Sequence, residues 1–238
     1  MAGFKTHLTF STLLGTGYAG VAYFMYDVPW PTCLLAGGLC GVSGMLPDID
    51  SHSGQPLRES MAFAAAVVAL LSLGKLQQMG LTQELLVLAG AGCYLLVRFG
   101  GAELLRRYTV HRGMFHSLPA AAIFGEIAFL LASGDDVWLR AYKAGGVVLG
   151  YLSHLLLDEL FSLEWHGGRL RTKQSFGTAL KLFSRSRWAN LSTYVKLAVL
   201  TTAVLYEPQW TTFYHNHPAD AQQLQQAAAG MLNSILRR

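Results

Sequence analysis

The sequence predicts an all-α, polytopic transmembrane helical bundle, and three observations carry that prediction. Hydrophobic residues fill 52% of the 238 positions and charged residues only 13%, against about 25% charged in soluble domains. Apolar runs follow one another from end to end, giving about six or seven spans; a bilayer core needs about 20 apolar residues, and fewer where a segment is half-buried against protein. The remaining polar residues cluster where those runs stop: at His7, across Pro47 to His52, across His111 to Ser117, and at His154 with Asp158. A net charge of +4 would suggest nucleic acid in a soluble protein. In a membrane protein the positive-inside effect accounts for it, and no nucleic-acid partner is expected.

The runs come in order. Leu8 to Tyr26 is the first. It follows a single Lys5 and carries His7, Thr9, Ser11 and Thr12, with no small-residue cleavage site, so it is expected to stay as a span. Asp27 to Pro31 breaks it, with Trp30 suited to an interface. Thr32 to Leu46 is the second, short and rich in Gly, Ala and Ser, which favours close helix packing inside the bundle. Pro47 ends it and leads into Asp48 and Asp50. Met61 to Leu73 and Leu85 to Phe99 are the third and fourth. Arg98 to Arg112 is basic and only partly apolar, an interfacial helix with a turn. Leu118 to Ala132 and Ala144 to Leu160 are the fifth and sixth. After the basic stretch His166 to Arg187 comes a seventh, Leu191 to Tyr206. Pro218 to Arg238 spaces Leu224, Met231, Leu232, Ile235 and Leu236 among polar residues, as an amphipathic C-terminal helix would. Residues 1–165 hold the site; 166–238 add the basic loop, last span and tail to the same domain. Cys33, Cys40 and Cys93 all lie in apolar runs and read as packing residues, not as a disulfide framework or zinc knuckle.

Alternating the runs across a bilayer brings all four polar clusters to one side. That side also carries Lys5, Arg58, the arginines of 98–112 and the basic residues of 169–187, while the other has Lys75, Arg140, Lys143, Arg237 and Arg238. The richer side should be cytoplasmic.

Imidazoles and carboxylates hold divalent metals and act as acids or bases near neutral pH, and they are costly at a membrane boundary unless paired or bound. His154 and Asp158 sit at i and i+4, on one face of a helix. They can share a metal, or the carboxylate can orient the imidazole; a plain helix-end hydrogen bond is the structural alternative. Glu159 faces elsewhere and is expected in solvent. Asp48 and Asp50, alternate residues in an extended turn, can clamp a cation, although aspartate is ordinary in turns. His52 reads equally as a ligand or as a loop residue. In His111-Arg112-Gly113-Met114-Phe115-His116-Ser117, two histidines flank an Arg-Gly turn. Arg112 offers a planar fork of donors for a phosphate or carboxylate, though it could be a topology charge. Ser117 or Thr109 could instead cap a helix. His166 reads equally as a ligand or as part of a lipid-headgroup contact, and His215 and His217 fall on the other side. Ser43, in Gly-Val-Ser-Gly-Met, superficially matches a nucleophile elbow but lies in a helical run and reads as a packing residue. The metal-ligand set is therefore His7, Asp48, Asp50, His116, His154 and Asp158. His111 is ligand or general acid, and Arg112 neutralises charge developing on the substrate.

In their order, His7, Leu46-Pro47-Asp48-Ile49-Asp50, His111-Arg112-Gly113-x-x-His116-Ser117 and Gly150-x-x-Ser153-His154-x-x-x-Asp158 resemble the YdjM-like family of bacterial inner-membrane metal-dependent hydrolases. The resemblance spans roughly the first 160 residues. That family is distantly similar to zinc-dependent phospholipases C and related nucleases, all-helical enzymes whose metals are held by His, Asp and Glu. The resemblance implies a phosphoester substrate. The expectation is thus an inner-membrane, multi-pass hydrolase whose site faces the cytoplasm. It would use a divalent metal (zinc, with manganese or magnesium as alternatives) on a lipid-like phosphoester, with membrane lipids as its partners. An ion or proton-coupled transporter using the same His/Asp cluster is the alternative. Depth separates the two, because transport sites lie near the bilayer middle between broken helices.

Overall fold

The structure, a computed structural model, describes residues 3–50, 55–101, 103, 114–134, 136–166, 169–172, 177, 180–184, 186–210 and 226. The chain runs through α1 (Phe4–Tyr26), α2 (Trp30–Ser43), a 3-10 turn (Leu46–Asp50), α3 (Gln55–Gln78) and α4 (Gln83–Leu95), which continues as a π-helical turn (Leu96–Gly101). Then come α5 (Leu118–Leu131), α6 (Val137–Leu160), a hairpin of β1 (Leu163–His166) with β2 (Arg169–Thr172), and α7 (Arg187–Leu205). Each predicted run becomes a helix, and local chemistry sets the ends. Asp27 stops α1 in the left-handed conformation (φ 50°). Pro31 stands in the first turn of α2, where its missing N–H costs nothing. Ser117, Asp136 and Ser186 cap α5, α6 and α7 by accepting first-turn N–H groups.

The main departure from the all-helical expectation is the hairpin inside the basic stretch. Glu164 pairs with Arg171 and His166 with Arg169, and in sequence the strands are joined by Gly167-Gly168, a dipeptide favoured in two-residue hairpins. The surplus of basic residues there hid the alternation of Leu163, Trp165 and Leu170 with polar neighbours. Of the expected interfacial segment Arg98 to Arg112, Arg98 to Gly101 continue α4 in the π-helical turn, while 102 and 104–112, like all but one residue of the C-terminal amphipathic helix, lie outside the described residues.

α1 packs along α2, α2 along α6, and α5 against both α6 and α7; α3 pairs with α4. Glycine permits the tightest approaches. A Cβ on Gly15 or Gly37 would overlap the other's backbone across α1 and α2, and one on Gly150 would strike the Cys40 carbonyl and the Ser43 hydroxyl across α2 and α6. Ser11 Oγ donates to the Gly41 carbonyl (2.7 Å) and Ser43 Oγ to that of Cys40 (3.0 Å). Ser43 is thus a packing residue. Cys33 and Cys40 are buried and Cys93 is half-buried, all as free thiols. Leu39, Met61, Phe129, Val147, Tyr151 and Leu155 fill the core.

Much of the outer surface is apolar. Phe24, Leu34, Val87, Leu88, Leu96 and Phe99 all stand exposed, more greasy surface than a soluble monomer tolerates. Among the described residues, two stretches, Ser60–Gln78 and Gln83–Gly101, are long and apolar enough to cross a membrane.

At the end of the bundle opposite His7, α6 begins earlier than its apolar run and carries Arg140 fully buried. The guanidinium donates to the Phe129 carbonyl (3.0 Å), pairs with Glu207 (3.0 Å) and meets Gln209; Glu207 also takes Lys75 (2.7 Å). Arg140 is therefore held in a buried ion pair at that end of the bundle. Burial raises the Glu207 carboxyl, but Lys75 and Arg140 outweigh it and leave the group below its ordinary value.

Candidate metal centre

Four elements each bring a ligand-type side chain to one end of the bundle. His7 lies in the first turns of α1. Asp48 follows α2 in the 3-10 turn that Pro47 opens. His116 stands in the short loop before α5, and His154 and Asp158 lie near the end of α6. His7, His116, His154 and Asp158 are buried, with Asp48 half-buried. The rings of His7 and His154 stack at 3.7 Å and 14°, and His116 meets His154 edge-on at 5.6 Å.

The distances between these groups are the informative part. His7 Nε2 is 3.3 Å from Asp158 Oδ1, and His154 Nε2 is 3.7 Å from Asp158 Oδ2 and 3.6 Å from Asp48 Oδ1. His116 Nε2 is 3.8 Å from the same Asp48 oxygen. Most of these separations are long for charge-assisted hydrogen bonds, which run about 2.7–2.9 Å. They are close to the edge of a tetrahedron of ligands around zinc, about 3.4 Å when each bond is about 2.1 Å. His7, His154 and Asp158 form one compatible triad, and Asp48, His116 and His154 a second sharing His154.

His154 is held for that role. Its Nδ1 lies 2.7 Å from the Gly44 carbonyl, and a carbonyl only accepts, so Nδ1 carries the proton. Nε2 is then left with its lone pair, buried and without a hydrogen bond, facing Asp48 and Asp158. A buried nitrogen in that state is expensive unless something binds it. Fixing a ligating imidazole through its other nitrogen to a carbonyl is a recurring feature of metal sites. Burial alone would push the Asp48 carboxyl up, but His116, His154 and His7 beside it more than offset this and hold it below the ordinary carboxylate value. Asp48 is therefore ionised at neutral pH.

The positions are set by the surrounding chain. Ser117 caps α5 and donates to the Met114 carbonyl (2.5 Å), while Tyr151 of α6 donates to the Phe115 carbonyl, so the loop carrying His116 is fixed from both sides. The Leu118 N–H also donates to the Lys181 carbonyl (3.2 Å), which ties residues after the hairpin to the same loop. The capping role foreseen for Ser117 and the siting of His116 are thus compatible. Asp50 has its backbone in the 3-10 turn, with its side chain outside the description; His111, Arg112, His52, Thr109, His215 and His217 lie outside the described residues, and His166 is placed by its backbone alone in β1. Glu159 departs from its expected place in solvent: it is half-buried and accepts the Gly177 N–H. Gly44 and Tyr151 were missed in the sequence. A backbone carbonyl has no sequence signal, and Tyr151 lies in an apolar run where an aromatic is ordinary.

The model of the family described as YdjM inner membrane protein matches residues 1–171. The chain belongs to that family. The match covers α1 through α6 and most of the hairpin, and so contains every residue of both triads. Membership in the YdjM inner membrane protein family, with two span-length helices and an apolar exterior, makes this a membrane-associated protein. No curated protein and no solved structure gave a match.

Proposed function

We propose that this YdjM-family chain is a multi-pass inner-membrane hydrolase that uses a divalent metal, zinc foremost, to cleave a phosphoester of a lipid-like substrate at the cytoplasmic face. The observation that carries it is His154, whose buried Nε2 is aimed at two carboxylates by the Gly44 carbonyl. His7, Asp48, His116, His154 and Asp158 would hold the ion, with Asp50 as a further ligand from the same turn. A divalent cation held by these residues would supply Lewis acidity toward a phosphoryl oxygen and would make water more acidic near neutral pH. Asp48, ionised at neutral pH, accepts a proton or offsets the cation's charge. Arg112 presents a guanidinium to the phosphoryl oxygens as charge builds on them, and His111 supplies a proton to the leaving oxygen.

About six or seven spans are assigned to α1 to α7; the short α2 and α5 each bury one face against neighbouring helices. The side bearing the site is assigned to the cytoplasm by its basic segments. A transporter using the same residues would want them near the bilayer middle. They lie instead at the ends of α1, α2 and α6 and just before α5, which favours the hydrolase.

The test pairs release of phosphate from prenyl phosphates, or of a phosphorylated headgroup from phospholipids, with metal content, in liposomes. Metal-dependent release is expected from the wild type. Arg112→Lys keeps the charge but loses the bidentate fork, so turnover should fall about 10- to 100-fold, with metal retained. A fully loaded protein that releases no phosphate but carries ions across the bilayer would establish the transporter instead.

A further inference from the structure

A cavity of about 320 Å³ lies beside the metal centre, between α2, α3, α5 and α6. Its exposed lining is entirely apolar. Ser43, Leu46 and Phe115 bound it at the site end, and Leu71 and Leu131 at the far end. Continuity with the centre is direct. Leu46 opens the turn that carries Asp48, and Phe115 precedes His116. Ser43 precedes Gly44, whose carbonyl holds His154.

The length of the cavity is also informative. Met61 and Leu71 both line it, and ten residues of helix rise about 15 Å. That is about half of a bilayer hydrocarbon core, one leaflet deep. Its exposed lining offers no polar group to a passing ion or water. Its surroundings suit a single long hydrocarbon chain entering from the leaflet on the site's own side.

We infer that this cavity is the tail-binding site for the substrate, a single-chain or prenyl-like hydrocarbon whose anionic phosphate head rests against the His/Asp cluster. The inference rests on the hydrolase reading and narrows it: recognition comes from the chain, and the centre acts on whatever head the chain presents. Sugar phosphates and nucleotides, with no tail, are excluded as good substrates. Burying each methylene should strengthen binding about fourfold until the cavity is full, after which further length adds nothing.

The experiment uses full-length protein in liposomes with dodecyl phosphate bearing a diazirine at mid-chain, followed by peptide mapping of the labelled residues. Butyl, octyl, dodecyl and hexadecyl phosphates serve as competitors, and the same series is assayed for phosphate release. Labelling should concentrate on Val68, Phe124 and Ala128. Competition should improve with chain length and then level off. Ala128→Phe and Val68→Phe, which fill the void from two helices, should each cut cavity labelling at least tenfold with metal content kept. Cavity labelling without phosphate release at any length would uphold the tail site and remove the hydrolase reading. Phosphate release independent of chain length, with labelling confined to outer residues such as Phe24 and Leu88, would overturn the tail site and leave the hydrolase standing.

Discussion

His154 shows how one side chain can be committed before any ligand arrives. The Gly44 carbonyl accepts from its Nδ1 at 2.7 Å, and Nε2 faces the carboxylates of Asp48 and Asp158. His154→Ala should therefore abolish tight metal binding, whereas losses from an outer hydrogen-bond partner run about 10- to 100-fold. Equilibrium dialysis with zinc gives the comparison, and retained helicity by circular dichroism separates ligand loss from unfolding. Protons compete with metal for the same nitrogens, because a ligating imidazole must be neutral. Metal content should accordingly hold at neutral pH and fall as pH is lowered toward about 5. Asp48, already held below the usual carboxylate range, should stay ionised throughout that window. If metal is instead retained fully well below pH 5, imidazoles are not its ligands. At this scale the sequence was most legible: His7, Asp48, His116, His154 and Asp158 were readable because each is a costly residue at the edge of an apolar run. The orientation of His154 was not readable, since a backbone carbonyl sets it.

Helix contacts set the geometry to within the tolerance a metal allows. α2 and α6 approach as closely as they do because Gly150 has no side chain to place against Cys40 and Ser43. Gly150→Val should push the helices apart, costing about 1–3 kcal/mol and moving His154 away from Asp48. Metal affinity and thermal stability should fall together. Gly17→Ala, with open space around its Cβ, is the control and should leave both unchanged. Equal effects from the two would remove close packing as the cause. The small residues of the second apolar run foretold this packing, whereas the β1–β2 hairpin was hidden by its basic composition. The burial of Arg140 is illegible for a related reason: an arginine ahead of an apolar run looks like any topology charge, and only the meeting with Glu207 and Phe129 reveals its partners.

Across the whole molecule, two polar clusters occupy opposite ends. The ends of α1, α2 and α6 gather the His/Asp centre, and Lys75 of α3, Arg140 of α6 and Glu207 after α7 gather the other. That arrangement is what an alternating chain requires, and it makes the two ends separable. Glu207→Ala should strand the buried Arg140 and cost about 3 kcal/mol, seen as a lower thermal midpoint with metal content unchanged. Loss of metal in that variant would mean the ends are coupled. For orientation, Leu180→Cys is a suitable reporter: Leu180 is exposed and adjoins Lys181, which bonds the loop carrying His116. It should resist a membrane-impermeant thiol reagent in intact cells and react once the membrane is opened, and reaction from outside would place the centre on the far side.

The central claim is that elements distant in sequence assemble one metal site from nitrogen and oxygen donors. X-ray absorption at the metal edge, on zinc-loaded purified full-length protein, tests it most directly. Tight zinc binding is expected, with scatterers at about 2.0–2.2 Å, imidazole signatures among them and no sulfur shell at about 2.3 Å. Folded protein that takes up no divalent metal, or zinc bound through Cys33, Cys40 or Cys93, would contradict it.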